Sequence, residues 1–228
     1  MLDAVLLDWE GVLADTASVR RDALRRALTD EGVRLDAGQD VPHRDGPPRP
    51  DSVGVAFAQL CRTDATLADL VGARATRAFA ERLGKGFVLR PGARDFVEHL
   101  QLASRVAIVT SATRAETEFM LRLAGLDGAV SAIVSADDGV AAPPSPASYG
   151  CALGHLARIR PLRRDRVVAI AQTSSALRAA RAAGVRSVAV GAPAHVALDA
   201  DGVVDAIDGL FVSDLARMVG IAVRATQP

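Results

Sequence analysis

Asp8 and Glu10 close the first apolar run of the chain, in Asp8-Trp9-Glu10-Gly11-Val12-Leu13-Ala14-Asp15-Thr16, and Thr110-Ser111 close the second. Asp137-Asp138 follow a third run and Ala171-Gln172-Thr173-Ser174 a fourth. Carboxylates, hydroxyls and amides gathered at such ends are groups that exchange protons, hold hard cations or bind small anions. Other chemistries have less to work with. Lys85 is the one lysine, so any step that needs a lysine must use it. His43, His99, His155 and His195 are scattered and pair with no Cys or carboxylate at metal spacing, which predicts structural or exposed roles. Cys61 and Cys151 lie far apart, match no metal spacing and read as buried thiols of a reducing compartment, without a disulfide.

The apolar runs themselves must position these groups. Ala4 to Leu7, Val106 to Val109, Ala132 to Val134, Val167 to Ile170 and Ser187 to Val190 are each followed by a turn signal and then a helical stretch. Runs apolar on both faces suit central parallel strands covered by helices on both sides. The pattern predicts a doubly wound α/β core, in which ligands bind outside the carboxyl ends of the strands. Helical periodicity covers Ser18 to Glu31, Val53 to Cys61, Leu67 to Leu83, Ala93 to Leu102, Arg114 to Leu123, Ala147 to Ile159 and Ser175 to Ala183. The first three of these helices follow one another after the first strand, in a strandless stretch far longer than the dozen or so residues a crossover needs. Residues 17–87 are therefore expected to be an inserted helical cap, and residues 1–16 with 88–228 the core.

Composition narrows the partners. With 27 basic and 27 acidic residues among 228, half of the chain apolar and 24% charged, the chain folds a real core and has no basic excess for nucleic acid or an anionic membrane. The N-terminal stretch has no basic region and only four apolar residues before an acid, so neither signal peptide nor anchor is expected and the expected location is cytoplasmic. A small-molecule ligand is the partner class left.

Read together, these stretches resemble the haloacid dehalogenase superfamily, in its capped phosphatase and β-phosphoglucomutase branch. The family opens on a strand ending D-x-D-G-(T/V)-(L/I)-x-D-T, against D-W-E-G-V-L-A-D-T at 8–16 here. A helical cap, a strand ending in Thr or Ser, a K-P-x-P-x-x-(Y/F) stretch and an E-D-S-x-x-G-(I/L)-x-A-A-x-A-A-G stretch follow, and each has a counterpart in order. The resemblance implies a Rossmann-like core with an all-helical cap. It also implies Asp8 as a nucleophile toward phosphorus, Glu10 as acid and base, and Thr110 with Ser111 on the phosphoryl oxygens. Mg2+ would be held by Asp8, the Glu10 backbone carbonyl and, weakly, Gln172. Gly46-Pro47-Pro48-Arg49-Pro50-Asp51-Ser52-Val53 is similar to the specificity loop of the mutase-like members, with Arg49 on its anion-recognising arginine and Arg20 as a second cation.

Three positions depart from the family. Pro143 stands where the lysine belongs, Ala171-Gln172 where the acidic pair belongs, and Glu10 where an Asp belongs. Asp8 and Glu10 then face the pocket without the fixed cation or a strong metal site, and two unit charges at about 4 Å repel by about 4 kcal/mol at an effective dielectric of about 20. The expectation is a family member with lost or strongly reduced Mg2+-dependent phosphatase activity that keeps a small-ligand cleft between cap and core. The alternative is a working hydrolase of a small phosphorylated metabolite, with an aspartyl-phosphate on Asp8. A metal-free dehalogenase ranks last, since it too relies on a lysine. Asp137 and Asp138 are expected to be solvated loop acids, and Lys85 an exposed lysine of a hinge. Trp9 echoes the D-W-x-G of phosphonoacetaldehyde hydrolases, but no lysine stands in the cap body, so packing is its expected role. Ser174 and Ser175 are expected to cap a helix.

Overall fold

Five runs of residues that are apolar on both faces become five strands of one sheet: β1 (Ala4–Asp8), β2 (Arg105–Val109), β3 (Ala132–Val134), β4 (Val167–Ala171) and β5 (Arg186–Val190). The computed structural model describes residues 2–33, 35 and 52–221. Short β6 (Gly202–Val204) adds an edge, and the order β3-β2-β1-β4-β5-β6 is parallel throughout. This is the doubly wound arrangement, with β1 at the centre between β2 and β4. Ala4, Leu6, Ala107, Val109, Val167 and Ala169 share one apolar cluster with Tyr149, Ala152, Leu153 and Leu156. The alternate residues Val5, Leu7, Val106, Ile108, Val168 and Ile170 are just as fully buried, so the sheet is covered on its second face too.

The helices are α1 (Ala17–Asp30), α2 (Ser52–Thr63), α3 (Ala65–Gly86), α4 (Ala93–Ala103), α5 (Arg114–Ala124), α6 (Ala147–Ile159), α7 (Ser174–Ala182), α8 (Ala194–Ala197) and α9 (Val212–Met218). The chain divides into two compact units, Met1–Asp15 with Val88–Pro228, and Thr16–Phe87. In the first unit, outgoing and returning chain meet: Arg90 N donates to Leu13 O at 2.8 Å and Ala14 bridges to Leu89. The second unit is helical and packs Ala27 and Leu28 of α1, Val53 and Leu60 of α2, and Ala68 and Val71 of α3 about one apolar centre. Asp64 caps α3 by accepting from Leu67 N at 2.9 Å. Among the described residues no helix is long and apolar enough to cross a membrane.

Several expectations are corrected here. Lys85 is not a hinge residue: α3 runs on to Gly86, so Lys85 is an exposed member of its last turn. It lines a groove of about 560 Å³ within the helical unit, beside Asp22, Arg26, Glu81 and Arg82. Glycine costs a helix only about 1 kcal/mol, so Gly84 and Gly86 do not stop one that is packed along α1. Neither cysteine is buried: Cys61 is exposed and Cys151 half-buried, and both are free thiols. α7 is capped one residue early, by Thr173, whose hydroxyl accepts from Ala176 N at 3.3 Å. Ser174 is therefore the first residue of the helix and not its cap.

At the opposite end of the sheet from the strand termini that matter for chemistry, Arg105 opens β2 with a buried guanidinium. It donates to the carbonyls of Asp3 at 3.2 Å, Leu156 at 2.7 Å and Pro161 at 3.3 Å, and also to that of Arg160. One side chain thus ties β1, β2 and the end of α6 together. Arg105→Met would keep much of the volume but leave these carbonyls without their donor, and is expected to cost about 2–3 kcal/mol. A lowered urea midpoint with unchanged slope checks this.

Candidate active site

β1 delivers Asp8 to the centre of the sheet's carboxyl edge, in register with Val109 of β2, while Leu7 pairs with Ile170 of β4. The chain then turns tightly: Leu13 N donates to Trp9 O at 3.0 Å, Gly11 N donates to Ala14 O at 2.8 Å, and Glu10 bridges to Ala14. Trp9 in this turn is fully buried, in keeping with a packing role. Gly11 has φ +76°, a conformation open to glycine, and a Cβ there would lie 1.9 Å from Gln172 Oε1. Gln172 is therefore pressed onto the β1 turn, and its Nε2 donates to Gly191 O at 3.4 Å.

Asp8 is pushed up to about 7, first by burial, then by the Glu10 charge, with the Trp9 backbone N–H partly opposing. Tyr149 of α6 is buried, and its phenol is driven upward first by burial and then by the charge of Asp8, which places it within electrostatic reach of that carboxyl. Tyr149 closes the Pro143 to Tyr149 stretch, yet only the lysine position of that stretch draws attention in the sequence. Beside it Ser148 Oγ is buried without a hydrogen-bond partner among the described residues.

Thr110 stands next to this edge, its N donating to Val134 O at 2.9 Å and its Oγ1 accepting from Ala112 N at 3.2 Å. Ser111 is exposed. Asp8, Glu10, Thr110 and Gln172 thus follow the ends of β1, β2 and β4. Arg90, not singled out in the sequence, reaches the same rim: its Nη1 would lie 3.9 Å from a Cβ at Gly191, and Gln172 Nε2 3.6 Å from that point. The signal for it is its place directly before Pro91-Gly92, where the chain re-enters the core. Arg20 lies in the helical unit with its guanidinium 4.3 Å from the Phe79 ring centroid. Gly46, Arg49 and His43 lie outside the described residues.

The loop acids after β3 differ from their expectation in part. Asp137 is exposed and accepts from Arg114 N at 2.7 Å. Asp138 is no solvated acid: its Oδ2 accepts from Ser135 N at 2.7 Å and Ser135 Oγ at 2.9 Å, and Arg114 Nη2 lies 3.2 Å from both carboxylate oxygens. These bonds hold its carboxyl below the usual carboxylate range. His155 does pair with a cysteine, since its Nε2 lies 3.7 Å from Cys151 Sγ one turn earlier on α6. That pair corrects the reading of scattered histidines.

A parallel 3-2-1-4-5-6 sheet with an aspartate closing its central strand defines a class of α/β protein. The family model described as haloacid dehalogenase-like hydrolase matches residues 2–190, and the chain belongs to that family. It is 32% identical over 208 residues to protein CbbY, plasmid, of Cupriavidus necator, covering 82% of this chain and 77% of that protein. Its fold is similar to that of CbbY from Rhodobacter sphaeroides in complex with phosphate, with TM-score 0.76 and 24% identity over 94% of this chain and 99% of that one. It is also similar to β-phosphoglucomutase from Clostridium difficile, with TM-score 0.75 and 16% identity over 96% and 98% of the two chains. The likenesses to the solved structures are of fold, a parallel α/β core with a helical unit inserted after its first strand.

Proposed function

We propose that this chain is a haloacid dehalogenase-like family member whose Mg2+-dependent phosphatase chemistry is strongly reduced, and which binds a small anionic ligand at the carboxyl edge of its sheet. The observation that carries this reading is the donor set at the end of β4: Ala171 has no side-chain ligand atom and the Gln172 amide is packed on Gly11, so no carboxylate from β4 joins Asp8.

Mg2+ prefers several carboxylate or other hard oxygen donors in near-octahedral geometry. Here Asp8 would supply one carboxylate and Glu10 a backbone carbonyl. Ala171 supplies no side-chain donor, and Gln172 offers a neutral amide packed on Gly11. This donor set does not fit a tightly held Mg2+. The hydroxyls of Thr110 and Ser111 keep the means to bind an anion, and Arg49, by its resemblance to the family's anion-recognising arginine, would add bidentate recognition. Glu10 carries its carboxyl one methylene further than the family's Asp, which displaces a proton donor by about an ångström, enough to cost on the order of a hundredfold in rate.

The second reading is an active phosphatase of a small phosphorylated metabolite, with Asp8 as nucleophile and Glu10 as acid and base. The 32% identity to a CbbY protein favours it, as does the retention of Asp8 and Thr110 on adjacent strand ends. Phosphate release from a panel of sugar phosphates with Mg2+ separates the two. The first reading expects the wild-type chain to turn over no faster than Asp8→Asn, while inorganic phosphate still binds to both. Robust turnover that Asp8→Asn abolishes overturns it in favour of the second.

A further inference from the structure

Away from Asp8, three side chains of metal-binding type converge where no role has been assigned. Asp138 comes from the turn after β3, and Cys151 and His155 come from α6, one helical turn apart on one face. Their ligand atoms all lie within 4.8 Å of one another, and all three residues are half-buried. We propose that Asp138, Cys151 and His155 form a binding site for a divalent transition metal ion of the zinc type.

The donor chemistry selects the metal. A thiolate, an imidazole and one carboxylate are a set that zinc-type ions favour and Mg2+ does not. In a tetrahedral zinc site neighbouring donor atoms stand about 3.5 Å apart, given bonds of about 2.0–2.3 Å. The Cys151 Sγ to His155 Nε2 separation of 3.7 Å is already there, and the carboxylate needs only a side-chain adjustment to close in. Three protein ligands leave a fourth position for water.

The surroundings are those of a held ligand set. Ser135 N and Oγ both bind Asp138 Oδ2, which orients the carboxylate, while Oδ1 accepts from Arg114 Nη2 at 3.2 Å and keeps a second lone pair for a metal. Arg114, 3.2 Å from Asp138, also donates to Ile133 O at 3.0 Å, which fixes it against β3. Thiolate and carboxylate together balance a dication, and the guanidinium offsets the anionic charge while the site is metal-free. Backbone packing supports the same meeting, because α6 lies across β2 and β3 and Cys151 packs against the core cluster beneath it. A metal here would clamp the β3 turn to α6.

The test uses the reduced, chelator-stripped full chain. Zn2+ titrated against a chromogenic chelator should bind at one ion per chain, and Co2+ should show a near-ultraviolet thiolate-to-metal charge-transfer band. Cys151→Ser and His155→Ala should each weaken Zn2+ binding on the order of tenfold or more, and Cys151→Ser should remove the band. Cys61→Ser should change neither. Should these variants fail to fold, alkylation of the wild-type chain decides: Zn2+ should protect Cys151 and leave the exposed Cys61 reactive. Substoichiometric binding, a missing band, or affinity indifferent to Cys151→Ser overturns the proposal, as does equal alkylation of Cys151 with and without Zn2+.

Discussion

Asp8→Asn is expected to stabilise the metal-free chain at pH 8 and to leave its stability unchanged near pH 4. The folded chain holds the Asp8 proton up to about 7, whereas the ordinary carboxyl releases it at 3.8. Below 3.8 both states are protonated and Asp8 contributes no penalty. As pH rises from there to about 7 the unfolded chain binds fewer protons than the folded one, so stability falls, and it levels off once the folded carboxyl has also ionised. The ceiling on the loss is about 4 kcal/mol, from about 1.4 kcal/mol for each pH unit of that interval. Asparagine is neutral throughout, keeps the shape and can still accept from the Trp9 N–H, so it escapes the loss. Urea unfolding of both chains in chelator from pH 4 to pH 8.5 measures the divergence. Glu10→Gln should recover a smaller share, because burial outweighs the Glu10 charge. Equal stabilities at pH 8 would mean that Asp8 sits at an ordinary pKa and that its burial costs the metal-free chain nothing.

The placement of Asp8 was readable in the residues because central parallel strands carry continuous apolar runs, and the first polar residue after such a run marks the carboxyl edge. The same logic located Thr110 and Gln172 from short windows alone. β6 escaped it because an edge strand of three residues, Gly202–Val204, with Val203 half exposed, has no such run. The meeting of Cys151 with His155 was half legible, since i and i+4 share a helix face. Its third member was not, because Asp138 arrives from a separate element and only the packing of α6 across β3 brings it in. Tyr149, within electrostatic reach of Asp8, escaped for the same reason. The burial of the cysteines failed because thiol type sets a tendency, while the face of α6 or α2 that each residue occupies sets the outcome.

Charge at position 172 should decide how well the carboxyl edge holds Mg2+. β1 and β4 are neighbours in register, Gln172 follows β4 directly, and its amide already rests on the turn that Asp8 begins. Gln172→Asp would add a carboxylate able to join Asp8 as a metal ligand at this edge. A unit charge about 4 Å from a divalent ion is worth about 8 kcal/mol at an effective dielectric of about 20, and about half or more of that is returned as repulsion with Asp8 and lost hydration. The remaining gain of about 3 kcal/mol corresponds to Mg2+ binding about a hundredfold tighter at pH 8. Gln172→Asn has the shape of the aspartate without its charge and should give no gain, which separates charge from the loss of the Gly191 bond. Because Asp8 must release its proton to take part, and the added carboxylate pushes that proton's release above its wild-type position of about 7, the affinity of the aspartate variant should rise from pH 6 to pH 8. Calorimetric titration of the two variants at pH 6 and pH 8 reads both effects. Equal Mg2+ affinities for the Asp and Asn forms would show that charge is not what this edge lacks, and that Gln172 lies too far from Asp8 to share a cation with it.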